Sequence, residues 1–170
     1  QYGRNNITYA PDLGSYLQLC GYWTDAALPA PTLPGQPGLM TECEGCDRCR
    51  KACPTGAIGT DRMLLHAERC LSHANENPGV WPAWAASGPH RCLVGCLLCQ
   101  KACPANPRLE VADSGVTFSH EETAALLDGP DYLAPDLQAS IKAKLAQLGP
   151  EYLAPSLGRN LQALAQGRAS

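Results

Sequence analysis

Two runs of cysteine constrain this chain more than any other feature: Cys43-x2-Cys46-x2-Cys49-x3-Cys53-Pro54 and Cys92-x3-Cys96-x2-Cys99-x3-Cys103-Pro104. Two-residue gaps let successive sulfurs face one inorganic centre while the N–H groups of the loop point at it. The three-residue gap before proline turns the last cysteine away, and in two-cluster ferredoxins that cysteine reaches the other cluster. The spacing predicts two [4Fe-4S] clusters. The matching tails Arg50-Lys51-Ala52-Cys53-Pro54 and Gln100-Lys101-Ala102-Cys103-Pro104 make the runs a pseudo-twofold pair. A zinc site would take its ligands in two well-separated pairs, and a disulfide scaffold needs an oxidising compartment for which no signal peptide argues. Thiolate clusters place the protein in a reducing cytoplasm.

Composition explains why a metal centre would also matter to folding. Hydrophobic residues are 45% of the 170, but aromatics are only 6% with a single Phe, so large core-fillers are scarce. Fifteen prolines and sixteen glycines interrupt long regular elements and argue against a long coiled coil or a large sheet. The region Cys43 to Pro104 is therefore expected to fold around its clusters. A net charge of −3 excludes a strongly basic protein with a nonspecific grip on nucleic acid. No stretch approaches the ~18 consecutive apolar residues of a membrane span, so no membrane partner is expected.

Along the chain, residues 1–40 read as an N-terminal segment, the remainder of an upstream domain, because Gln1-Tyr2-Gly3-Arg4-Asn5-Asn6 resembles the interior of a longer sequence. Within it, Gly14 to Trp23 favours a strand or an extended segment. Pro29, Pro31, Pro34 and Pro37 with Gly35 and Gly38 make an irregular connector. Residues 41–112 form the double-cluster domain, with a helix expected from Arg62 to Ala74 behind Asp61 as N-cap, and a loop over 77–90. Residues 113–170 form a small helical appendage. Ser119 and Glu122 are spaced as a capping box for a helix to Leu127, and two further helices are expected near 135–148 and 155–166. The heptapeptide Gly129-Pro130-Asp131-Tyr132-Leu133-Ala134-Pro135 returns as Gly149-Pro150-Glu151-Tyr152-Leu153-Ala154-Pro155. A single pair is read as two similar helix entries, since solenoids need about three units. The fold class is α+β to mainly α: a loop-rich, ferredoxin-like module with a helical tail.

The stretch from Glu42 to Ile58, with Leu65-His66-Ala67-Glu68-Arg69-Cys70-Leu71-Ser72 and Gly95-Cys96-Leu97-Leu98-Cys99-Gln100-Lys101-Ala102-Cys103-Pro104, resembles the double-cluster domain of epoxyqueuosine reductases. Those are cobalamin-dependent enzymes that reduce an epoxide on a modified tRNA base, and corrinoid reductive dehalogenases carry a related domain. The likeness covers about residues 1–110. It implies one cluster on Cys43, Cys46, Cys49 and Cys103 and a second on Cys53, Cys70, Cys96 and Cys99, which leaves Cys92 spare. Ferredoxin symmetry alone would name Cys92 in place of Cys70, although the gap from Cys92 to Cys96 is one residue longer than its counterpart. The segment Gly3-Arg4-Asn5-Asn6-Ile7-Thr8-Tyr9-Ala10-Pro11 through Ser15 resembles a glycine-rich stretch near the corrinoid. No part of the chain matches that family's catalytic half, so no catalytic residue is assigned.

The remaining chemistry-bearing residues have plainer readings. His66, His73, His90 and His120 lack partners at metal-ligand spacing and are read as surface or helix-face side chains. Cys20 is read as a buried thiol, and Trp81 and Trp84 as packing residues. Arg48, Arg50, Lys51, Arg91 and Lys101 offset the charge of the clusters, the alternative being docking of tRNA or an acidic donor. Two functions of different class follow. One is the electron-relay part of an epoxyqueuosine-reductase-like oxidoreductase, supplied by an external low-potential donor and completed by cobalamin elsewhere. The other is a ferredoxin-like carrier that serves a separate redox partner and catalyses nothing.

Overall fold

The computed structural model describes residues 1–29, 38–86, 91–110, 112–128, 134–149 and 154–167. Most of the proline connector, His90, and most of both copies of the heptapeptide lie outside them. Near the N-terminus the chain reverses too tightly for a ladder to grow, with Asn6 and Asp12 at φ of 60° and 64°. What forms is a set of single bridges: Tyr2 with Thr8, Tyr2 with Leu39, and Ala10 with Gly14. Among the described residues there is no strand, and helices carry the fold. The mainly helical reading holds, and the α+β alternative finds no support. Residues 16–25 have no strand either, so Gly14 to Trp23 runs on as extended chain.

The helices are α1 (Arg48–Ala52), α2 (Leu71–Glu76), α3 (Ala83–Ala86), α4 (Leu98–Lys101), α5 (His120–Asp128), α6 (Pro135–Leu148) and α7 (Ala154–Gly167), with 3-10 turns at Thr41–Cys43 and Ala67–Arg69. The helix expected over Arg62 to Ala74 is replaced by bends, a 3-10 turn and the shorter α2. The cause is competition for backbone donors. Leu65 N–H donates to the Asn6 side chain, His66 N–H donates to Ala57 O at 2.7 Å, and Cys70 is extended at φ −79°, ψ 124°. Donors bound to distant partners cannot close helical turns.

The chain packs as two compact units. The first comprises Gln1–Cys53, Ile58–Leu65 and Leu98–Leu109. Its apolar cluster is small: Tyr9, Met40 and Cys43 are buried, with Ile7, Cys103 and Ala105 packed against them. Two of these six residues are cysteines, so this core is built on thiols. The short helices α1 and α4 pack together here.

The second unit comprises Pro54–Ala57, His66–Leu97 and Glu110–Ser170. Ala125, Ile141, Leu145 and Leu157 form its core, with Leu93, Val94, Phe118, Leu126 and Leu137 around them. The capping box forms reciprocally: Ser119 N–H donates to Glu122 Oε2 at 2.7 Å, and Glu122 N–H donates to Ser119 Oγ at 3.1 Å. Helix α6 opens on Pro135 and closes at Gly149, whose φ of 88° suits a left-handed cap. Helix α5 packs against α7 closely enough that a Cβ on Gly158 would lie 2.3 Å from Leu126 O. Helix α7 also reaches α2 through polar groups. Asn160 Nδ2 donates to Asn75 O at 2.7 Å and to Leu93 O at 3.0 Å, and Arg159 donates to Ala74 O and Gly79 O at 2.8 and 2.7 Å.

Candidate metal centre

Four of the predicted ligands line one cavity in the first unit: Cys43, Cys46, Cys49 and Cys103. Local folding brings them there. Cys43 ends a 3-10 turn, and Cys46 N–H donates back to Cys43 O at 3.2 Å. Cys49 rides on α1, and Cys103 follows α4 with its N–H on Gln100 O at 3.1 Å. Three sulfurs thus come from the first run and one from the end of the second. Cys43 and Cys49 are 7% and 8% exposed, which makes their thiolates costly to hold without a counter-charge.

The electrostatics of this cavity favour a cationic occupant. Burial pushes the Cys49 thiol up, and the nearby Cys43, Cys103 and Cys46 sulfurs push it further, against a backbone hydrogen bond from Arg50 that lowers it. Sulfurs that disfavour one another's ionisation are stabilised together only by a positive core. Donors already face them: Arg4 N–H points at Cys43 Sγ from 3.4 Å, and Arg4 Nη2 pins Cys43 O at 2.8 Å. The Tyr9 hydroxyl lies against Cys103, and burial first, then that hydrogen bond, raise its pKa well above the ordinary phenol range. Among the described residues no three His, Cys, Asp or Glu side chains converge as ligands of a single ion. Sulfurs around a cavity rather than a point suit a multi-atom iron-sulfur core.

The two cysteine runs repeat in backbone as well as in sequence. Gly45 and Gly95, each preceding a cysteine, both stand at φ 66°, and Cys53 N–H meets Arg50 O at 3.2 Å just as Cys103 meets Gln100. Of the other predicted ligands, Cys53 caps α1, Cys99 lies on α4, Cys70 stands at the N-cap of α2, and Cys96 follows Gly95. All four are half-buried. Asn75 holds the turn before Cys96: its Nδ2 donates to Gly95 O at 2.6 Å, and Gly95 N–H donates to its Oδ1 at 3.1 Å. The Cys92 thiol rests 4.0 Å from Cys96 O. Cys20 is exposed, which corrects the expectation of a buried thiol. It belongs to an extended stretch in which Leu19 is 73% and Trp23 fully exposed, so no packing surrounds it.

The other singled-out residues mostly keep their plain roles. His66 Nδ1 faces Glu68 at 3.1 Å, His73 contacts Asn77, and His73 and His120 are exposed. Trp81 is packed under the Arg159 guanidinium, 4.8 Å from its ring, and Trp84 lies half-buried on α3. Arg48, Lys51, Arg91 and Lys101 are exposed, and Lys51 pairs with Asp47 at 3.0 Å. Sequence reasoning missed Tyr9, Arg4 and the Ser15 anchor. Ser15 N–H donates to Asn106 Oδ1 at 2.7 Å, and Gln100 Nε2 donates to Ser15 O at 3.0 Å. Gly14 makes this approach possible, since at φ 65° a Cβ there would lie 2.4 Å from Asn106 Oδ1. The only signal was the glycine and asparagine content of residues 3–15, which marks turns but names no partner.

Known proteins resemble this chain in sequence and in fold. Residues 42–106 match the 4Fe-4S double cluster binding domain. An epoxyqueuosine reductase of Bacillus subtilis (strain 168) is 32% identical over 105 residues, which are 61% of this chain and 25% of that protein. One from Synechococcus sp. (strain RCC307) is 36% identical over 110 residues, 61% of this chain and 30% of that protein. The chain spans about a quarter to a third of the length of these relatives. The solved structure of epoxyqueuosine reductase from Streptococcus thermophilus shares the fold, with a TM-score of 0.63 at 20% identity over 100% of this chain and 43% of that one. Over about three fifths of its length the chain is thus similar to epoxyqueuosine reductases, and its residues 42–106 match a 4Fe-4S double cluster binding domain.

Proposed function

We propose that this chain is the electron-relay module of an epoxyqueuosine-reductase-like oxidoreductase in tRNA queuosine biosynthesis, and that it holds two [4Fe-4S] clusters. The observation that carries this reading is the cavity where Cys43, Cys46 and Cys49 meet Cys103 from the other run, the crossed ligation that the spacing predicts. Cys53, Cys70, Cys96 and Cys99 hold the second cluster, supported by the family resemblance and by the repeated backbone at Gly45 and Gly95. Cys92 stays outside both sets. Bound clusters supply one-electron transfer at low potential, suited to reducing a corrinoid cobalt. The chain's own residues hold the sulfurs in place, exclude water from Cys43 and Cys49, and aim N–H and O–H donors at them. An external low-potential donor, cobalamin and tRNA are the partners of the complete enzyme.

Metal analysis and electron paramagnetic resonance test the reading together. Anaerobically purified protein should hold about eight irons and eight sulfides per chain. Cys70→Ala should lose or convert one cluster and keep the other, while Cys92→Ala should keep both. Stoichiometric zinc without broad visible absorption would overturn the cluster assignment, and loss of a cluster in Cys92→Ala but not in Cys70→Ala would reverse the choice of ligand.

A further inference from the structure

A second cavity in the first unit, of about 390 Å³, opens beside the residues just described and has no cysteine in its wall. Three guanidinium groups line it, those of Arg4, Arg50 and Arg62, and among the described residues no Asp or Glu does. In a chain of net charge −3, three cations gathered on one wall are not explained by the overall balance. Two of them are unsatisfied as well: the Nε atoms of Arg4 and Arg50 are buried without a hydrogen-bond partner. Asp47, which feels Arg50, has its carboxyl lowered first by its hydrogen bond to Lys51 and last by Arg50.

The wall is held in shape before any ligand arrives. Arg4 Nη2 is tied to Cys43 O at 2.8 Å, and Arg62 Nη2 to Leu65 O at 2.9 Å. Asn6 Nδ2 is tied to Met63 O at 3.1 Å. Guanidinium forks fixed in this way match oxyanions through paired N–H donors. A carboxylate or a phosphodiester offers two free oxygens and one charge, whereas a phosphate monoester offers three oxygens and up to two charges to three cations. The Thr60 hydroxyl adds a donor, and Leu39, Ile58 and Met63 supply an apolar flank. The volume exceeds what a bare ion fills. We propose that this cavity is a binding site for the phosphate group of a phosphate monoester, with Arg4, Arg50 and Arg62 as its cationic wall. Arg4 lines this cavity and also the one formed by the four cysteines, so an anion bound here lies against the residue whose N–H faces Cys43.

Calorimetric titration of the full chain, prepared anaerobically with iron measured on the same sample, tests the site. The probes are inorganic phosphate, adenosine monophosphate and a short single-stranded RNA at one low salt concentration. Saturable binding of adenosine monophosphate in competition with phosphate would identify a small phosphate monoester as the ligand. Binding of RNA alone would point to a backbone phosphodiester and overturn the monoester assignment. Arg50→Gln and the exposed Arg62→Gln should each weaken binding of adenosine monophosphate about tenfold or more. Lys142→Gln, an exposed cation on α6 outside the cavity, should leave it unchanged. The proposal is overturned if none of the three probes binds, if RNA binds and adenosine monophosphate does not, if Arg62→Gln in a folded protein has no effect, or if Lys142→Gln weakens binding equally. Low iron with retained phosphate binding would count against the cluster reading and leave this site standing.

Discussion

The Tyr9 phenol is 6% exposed, accepts a hydrogen bond from Asn5 Nδ2 at 3.1 Å, and turns its hydroxyl to Cys103. A donor at a ligating sulfur stabilises the more negative, reduced state of a cluster. A hydrogen bond of about 1 kcal/mol corresponds to about 40 mV for a one-electron couple. Tyr9→Phe should therefore lower the potential of the cluster proposed on Cys43, Cys46, Cys49 and Cys103 by roughly that amount. A titration followed by electron paramagnetic resonance measures it, and an unchanged or raised potential would remove this role from Tyr9. The cysteines around it were legible because ligand spacing is a local property of the chain. Tyr9 was not, since nothing in its neighbours shows which sulfur its hydroxyl reaches after residues 38–49 fold over it. Cys20 failed for the related reason that burial is decided by what packs on a residue.

At the scale of elements, local signals and distant bonds divide the molecule between them. Helices α5, α6 and α7 fall where the capping box, the proline entries and the Ala and Leu periodicity put them, because each signal acts within one or two turns. The expected helix over Arg62 to Ala74 gave way because Asn6 and Ala57 took its donors. Helix α7 acquires a role its sequence did not suggest: Asn160, fully buried, donates to Asn75 O and Leu93 O, and Asn75 in turn fixes Gly95 ahead of Cys96. Asn160→Ala would leave two buried carbonyls without this donor. The expected cost is about 1–3 kcal/mol with preferential loss of the second cluster, checked by denaturant melts and iron content. A second prediction concerns pH. The Lys144 ammonium, then the Ser140 hydroxyl and the Ser119 N–H, hold the buried Glu122 carboxyl at about 2, below its ordinary 4.5. A carboxyl lowered on folding contributes stability that is complete above pH 4.5 and is lost as the pH falls through about 2. Melting temperatures of the chain should drop across that window, and Glu122→Gln should flatten the drop while lowering stability at pH 7. Parallel curves for the two proteins would disprove the linkage.

The whole molecule combines a unit with very little apolar core and a unit with a conventional one. Among the described residues, Tyr9 and Met40 are the only non-cysteine side chains in the first unit's buried cluster, whereas Leu157, Ile141 and Leu145 anchor the second at 1%, 5% and 4% exposure. Removing iron with a strong chelator under oxidising conditions should collapse hydrogen-exchange protection over residues 41–53 and 98–106, and leave α5 and α6 protected. Helix α2, joined to the turn before Cys96 through Asn75, should lose protection with the cysteine loops. Uniform retention of protection would show that the fold does not depend on the metal. Cysteine spacing by itself determined the chemistry of this protein, because the reach of a short loop limits which sulfurs can share a centre. Capping and periodicity determined the C-terminal helices for the same reason of range. Only the tertiary structure decided that residues 1–15 lie against Cys43 and Cys103, that α7 braces the approach to Cys96, and that Arg4, Arg50 and Arg62 share one wall. Those arrangements rest on hydrogen bonds and contacts between residues tens of positions apart, and their energies exist only once the intervening chain has folded.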